Sequence, residues 1–306
     1  MDIELTKPNN LLIKVQDNDV IISMHNQIKQ QAFGQRDMRL LCLYRGRKLY
    51  DILADDHGLI VYNDNKLVLG TILTNDDTSL MRVMGKVAES IIARRCTESL
   101  ALQKLWMFYG SGTLVRDETA KRYTAVGTGF KSTERNYPPA YNPQDKQRDI
   151  IWIETNGFHY PVRGSTSSGA KDAGLQVKIS KGSMFYDLRK WLLEKTYEVP
   201  IVYFDLGKDY EEIFDSVMKN LVDETPDSLR ERFISVREAD EDAYYEAEYY
   251  TEMIQAVIDG RLSVDDLVKK AEDFPTFGSA VMATALQNVA DTTLILPSNG
   301  QSPLLY

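Results

Sequence analysis

A chain of 306 residues, 43% hydrophobic and 26% charged, is ordinary for a globular protein and long enough for two or three modules with cores of their own. No apolar run approaches the roughly twenty residues that span a bilayer, the opening MDIELTKPNN lacks the basic and apolar regions of a signal peptide, and His25, His57 and His159 have no zinc spacing. A cytoplasmic protein without a membrane partner is expected, with Cys42 and Cys96 as buried free thiols. The net charge of −9 is unevenly spread: residues 1–80 hold 9 basic and 11 acidic side chains, residues 81–206 hold 19 and 13, and residues 207–306 hold 8 and 21. Only the middle segment is basic, as a phosphate-binding surface requires.

Residues 1–75 read as a β-rich N-terminal module. Strands are expected at 10–15, 20–24 and 39–44, and a hairpin at 59–62 and 66–70 around Asn63-Asp64-Asn65. Residues 80–105 read as one helix, with Val83, Val87, Ile91 and Met84, Ala88, Ile92 at helical spacing. Residues 106–148 read as a polar insertion. Its basic and aromatic groups (Lys121, Arg122, Tyr123, Lys131, Arg135) suit either a nucleic-acid groove or an ordinary surface loop, and its prolines at 138, 139 and 143 favour an extended, exposed path.

The stretch that carries chemistry runs over 148–180, RDIIWIETNGFHYPVRGSTSSGAKDAGLQVKIS. Asp149 opens an apolar strand, and a second strand carries Gln176-Val177-Lys178, where alternation puts Gln176 and Lys178 on one face. An acid on one strand beside a polar-x-Lys on its neighbour is a minimal apparatus for metal-dependent phosphodiester hydrolysis. The acid binds Mg²⁺ or Mn²⁺, the cation polarises the phosphate and acidifies a water, and the lysine stabilises developing charge. Asp172 is a further candidate ligand, on the Gln176 face if the strand is regular that far; Glu154 should point away. The small, flexible Gly164–Gly169 stretch reads as a connecting loop, with no ATP-site spacing after it.

Downstream, 184–196 is a helix with Phe185, Leu188, Trp191 and Leu192 on its buried face, and 200–205 is a short apolar strand. Residues 207–306 are a helical acidic region: a helix at 210–222, another starting at Thr225-Pro226-Asp227, and a third after Ser263. The segment 238–252, EADEDAYYEAEYYTE, is read as a solvated helical face with half-buried tyrosines, with Glu238, Asp240, Glu241 and Asp242 facing water; mimicry of nucleic acid and docking of a partner subunit are the alternatives.

At Asp149, Gln176 and Lys178 the chain resembles the PD-(D/E)xK nuclease superfamily, with Gln176 where the family has Asp or Glu; some members carry Gln-x-Lys. The resemblance covers about 80–206 and implies a mixed α/β fold with a restriction-endonuclease-like core ordered helix, three strands, helix, strand. It implies a Mg²⁺-dependent endonuclease acting on DNA, in restriction, phage defence or a mobile element, with Glu89 of the first helix near the metal. Catalytic residues would be Asp149, Gln176, Lys178 and Glu89; metal ligands Asp149, Gln176 and Asp172; nucleic-acid contacts Lys121, Arg122, Lys131, Arg135, Arg148, Arg163, Lys171 and Lys181. RNA as substrate, a homodimer, and a non-catalytic binding or scaffold subunit of the same fold stay open, the last favoured by the glutamine.

Overall fold

The computed structural model describes residues 2–4, 12–16, 19–23, 46–63, 66–70, 77–154, 156–162, 171–221, 224–260 and 263–267. The expected strand at 39–44, the loop at 164–169 including Arg163 just before it, and Cys42 lie outside them. The chain forms two compact units, one of residues 1–51, 60–69 and 260–306, the other of residues 52–59 and 70–259.

In the first unit β1 (Asp2–Glu4), β2 (Leu12–Gln16) and β3 (Asp19–Ser23) make an antiparallel sheet in that order. β4 (Ile60–Asn63) and β5 (Lys66–Leu69) form the expected hairpin, closed at Asn63 opposite Lys66.

The second unit is a mixed α/β structure. Where one helix was expected at 80–105, there are two, α1 (Asp77–Glu98) and α2 (Leu100–Ser111). Ser99 between them has extended backbone, and its Oγ accepts the Leu102 N–H at 3.4 Å, so a serine N-cap starts a new helix where apolar periodicity alone reads through. Nor is the 106–148 segment an extended loop. After α2 come α3 (Asp117–Ala120), strand β6 (Tyr123–Gly127), α4 (Lys131–Asn136) and a 3₁₀ turn at Pro138–Ala140 with proline at its start. β6 pairs along its whole length with β7 (Ile150–Glu154), from Tyr123 opposite Glu154 to Gly127 opposite Ile150. Gly127 is required there, since a Cβ would overlap the Phe130 ring.

β8 (Gly174–Ser180) and α5 (Phe185–Glu194) follow, with Leu188 and Leu192 of α5 buried. Then come β9 (Ile201–Asp205), α6 (Tyr210–Met218), α7 (Pro226–Arg232, capped by Thr225 Oγ1 on the Ser228 N–H), β10 (Phe233–Ser235), α8 (Val236–Ala239) and α9 (Glu241–Ile258). α10 (Val264–Leu267), after Ser263 as expected, belongs to the first unit and packs on β5. The five-stranded sheet runs β10-β9-β8-β7-β6; β6, β7 and β8 are an antiparallel meander, while β8, β9 and β10 are parallel. One apolar cluster joins Leu188 and Leu192 of α5 to Ile201, Tyr203, Ile213, Val217, Leu229 and Phe233. Among the described residues no helix is long and apolar enough to cross a membrane.

The acidic segment departs most from expectation. α9 lies along α1 with Tyr244 and Tyr250 fully buried, and buried Glu246 accepts the Tyr250 hydroxyl at 2.8 Å. Glu238 and Glu241 do face solvent, but Asp240 is 5% exposed. Its two oxygens take Arg95 Nε and Nη2, each at 2.6 Å, across 145 residues of sequence. A charge run that looks solvated is in part an interior bidentate pair. Cys96, one residue on, is free and buried, and burial pushes its thiol pKa up. Asp240→Ala leaves Arg95 only the longer contact with Asp242 Oδ2 at 3.5 Å, and urea denaturation is expected to show a loss of about 3–5 kcal/mol. The exposed Lys171–Glu198 pair gives the contrast: Lys171→Ala should change stability by less than about 0.5 kcal/mol.

Candidate functional site

The site forms where β7 and β8 part. Their ladder holds only Ile150 opposite Leu175 and Ile151 opposite Gly174. Its last bond runs from the Asp149 N–H to Leu175 O at 2.8 Å, and beyond it the Gln176 N–H turns to the other neighbour, Pro200 O, at 2.9 Å. The next donor facing β7, the Val177 N–H, is taken at 2.7 Å by Asp149 Oδ2. The same oxygen accepts Gln176 Nε2 at 2.5 Å and lies 3.7 Å from Lys178 Nζ. Asp149, Gln176 and Lys178 are therefore brought together. Gly174 is no bend: it begins the regular strand, and a Cβ there would overlap the Arg148 side chain.

Lys178 Nζ lies 5.6 Å from the Tyr197 ring centroid and 6.0 Å from that of Trp191, two rings set edge to face. Gln147 anchors the turn that carries Tyr197, donating to Thr196 O at 3.3 Å and accepting the Glu198 N–H at 2.8 Å. Trp191, expected on the buried face of its helix, is half-buried. Nothing in local spacing marks Tyr197, because its place depends on a contact with Gln147.

Glu89 reaches the same electrostatic neighbourhood from α1. Burial first, and then the Asp149 charge, push its carboxyl up to about 8 against the pull of Lys86 and Lys178. Burial also raises Asp149, with Asp145 adding to it, while Lys178 and the Val177 N–H oppose. Gln176 is 4% exposed, and its Oε1 is buried with no hydrogen-bond partner. A buried acceptor without a donor, beside two carboxyls, suits a hard cation: Mg²⁺ takes one or two carboxylates, completing its shell with neutral oxygens and water. Among the described residues no three acids, histidines or cysteines converge as a metal-binding group.

Asp172 is committed elsewhere. It precedes the regular strand, at an isolated bridge with Pro161, so alternation does not carry back to it. Its Oδ2 meets Arg148 Nη1 at 3.1 Å and His159 Nδ1 at 3.0 Å. Glu154, at the far end of β7, takes Arg122 Nη2 at 2.5 Å. Most of the expected nucleic-acid contacts have acidic or carbonyl partners: Arg122 with Glu154, Lys131 with Glu134, Arg135 with Asp55 O, Arg148 with Asp145 and Asp172, Lys171 with Glu198. Lys121 and Lys181 are exposed.

Comparison with protein-family models, curated proteins and solved structures gives no significant match.

The raised carboxyl of Glu89 has a consequence for stability. An unfolded glutamate ionises near 4.5, the folded one near 8, so the folded state holds a proton that the unfolded state has lost. Stability is fully present below the lower value and falls as pH rises to the upper one. In chelator, Glu89→Gln should melt close to the parent near pH 5 and above it past pH 8. A melting difference that does not change with pH would mean that Glu89 does not hold a proton in its buried setting.

Proposed function

We propose that the chain is a metal-dependent endonuclease of the restriction-endonuclease-like type, hydrolysing phosphodiester bonds of DNA. The observation that carries this reading is the meeting of Asp149, Gln176 and Lys178 at the parting of β7 and β8, with Glu89 beside them. The order of elements supports it: α1, the antiparallel β6, β7 and β8, then α5, then β9 parallel to β8. With α2, α3 and α4 interposed, these elements follow one another in the helix, three strands, helix, strand order that the resemblance implies.

A divalent cation held by Asp149, Glu89 and Gln176 Oε1 would supply polarisation of the phosphate and a water of lowered pKa. The protein's own groups have separable tasks. Asp149 Oδ2 fixes its carboxylate by holding the Val177 N–H, so the side chain is oriented by the backbone. The Lys178 ammonium is kept near that carboxylate and above two rings, positioned to stabilise negative charge on a non-bridging oxygen. Glu89 holds its proton near neutrality, so loading the site releases it, and metal affinity should rise with pH.

A second reading, a non-catalytic nucleic-acid-binding or scaffold subunit, has one observation in its favour. The Gln176 amide already donates to Asp149 Oδ2, doing part of what a cation would do.

Incubation of the full chain with plasmid DNA, with and without Mg²⁺ or Mn²⁺, separates the two. Cleavage should require the cation, and Lys178→Ala should slow it by a factor on the order of 10²–10³. Asp149→Ala should abolish it while leaving circular dichroism unchanged. DNA binding without cleavage under every cation, with Asp149→Ala equivalent to the parent, would favour the scaffold. Calorimetry with Mn²⁺ gives a readout apart from activity: Gln176→Glu adds a carboxylate and should bind at least as tightly.

A further inference from the structure

A second group of oxygens gathers at the opposite end of β8 from Gly174. Ser180 ends β8 opposite Asp205, which ends β9, and Asp209 sits just before α6. Asp205 is 6% exposed and Asp209 8%, with Tyr203 and Ser180 fully buried. The Tyr203 hydroxyl donates to Asp209 Oδ1 at 2.7 Å. Asp209 Oδ2 and Asp205 Oδ1 are both buried and have no hydrogen-bond partner. No ion pair is made by either carboxylate among the described residues. Arg237 acts on Asp205 through space but lies over the Tyr244 ring, 5.5 Å from its centroid. Burial, with Asp209 adding to it, holds the Asp205 carboxyl up at about 6, against its backbone hydrogen bonds and Arg237.

The two acids cannot drift apart. The turn after β9 is drawn in by the Lys208 N–H on Asp205 O at 2.8 Å, and the Gly207 N–H reaches Ser180 O at 3.2 Å. A Cβ at Gly207 would overlap the backbone of Gly182, so the turns after β8 and β9 touch backbone to backbone. Buried polar oxygens in native structures are almost always satisfied. A water could satisfy each oxygen singly but would leave the repulsion of Asp209 on Asp205, whereas a cation relieves both. The donors are all oxygen, two of them carboxylates, which selects a hard ion over zinc or copper.

We propose that Asp205 and Asp209 form a binding site for a hard divalent cation, Ca²⁺ or Mg²⁺, separate from the Asp149 site and tying the end of β9 to the start of α6. It does not depend on the nuclease reading. The test uses the full chain carrying Asp149→Asn, which disables the first site, with Tb³⁺ as the luminescent stand-in for Ca²⁺. Tyr203, hydrogen-bonded to Asp209, sensitises an ion bound there. Excitation of tyrosine should give terbium emission that Ca²⁺ competes away, and adding Asp209→Asn or Asp205→Asn should abolish it. If those variants fail to fold, the Asp149→Asn chain alone decides: Ca²⁺ or Mg²⁺ should raise its melting temperature. Emission that survives both added substitutions overturns the proposal. So does a folded Asp149→Asn chain that shows neither emission nor thermal stabilisation.

Discussion

Two antiparallel strands that separate leave a backbone donor with nothing to bond to, and a buried N–H without a partner costs about 1–3 kcal/mol. In this protein that donor is the Val177 N–H, and the carboxylate of Asp149 replaces the missing ladder oxygen. Much of the site follows from that substitution. A carboxylate used as a ladder partner is a buried charge, so it needs a cation, and Lys178 stands one residue further along β8. The Gln176 amide shares the same oxygen, which leaves its own Oε1 unmatched. Burial first, and then the charge of Asp149, raise Glu89 on the helix packed against the sheet. Fold and chemistry thus meet in one hydrogen bond.

The same logic qualifies the charge excess of the middle segment. A count over residues 81–206 gives more basic than acidic side chains. In the structure many of those cations face local acids: Lys104 with Asp117, Lys131 with Glu134, Arg148 with Asp145 and Asp172. Exposed pairs contribute little to stability, but they do flatten the long-range field. Those acids are already counted in the segment, so pairing leaves the basic excess unchanged and shifts it toward exposed groups such as Lys121 and Lys181.

The parts legible in the sequence are those set by local pattern. The β4–β5 hairpin, the apolar run of β9, the Thr225 cap and the shared face of Gln176 and Lys178 all follow from residues within a few positions of one another. What escaped depends on partners far along the chain. β6 is short, ends on Gly127 with Gly129 close behind, and is a strand because β7 pairs with it. Asp240 is interior because Arg95 waits for it. Tyr197 stands over Lys178 because Gln147 holds its turn. Asp172, by contrast, misled through a regular alternation that begins only at Gly174.

The Arg95–Asp240 pair also bears on how the chain is made. Synthesis from the ribosome delivers α1 long before α9, so for most of translation the guanidinium of Arg95 and the apolar stripe beside it have no cover. Neighbouring strands pair over comparable separations, Ile150 with Leu175 and Gln176 with Ile201, and can form early, while α9 must return across the whole unit to α1. A nascent chain stopped before Asp240 therefore presents a half-finished helix face, the state most open to self-association or to capture by a chaperone. The second unit becomes a closed body only when its last long helix arrives.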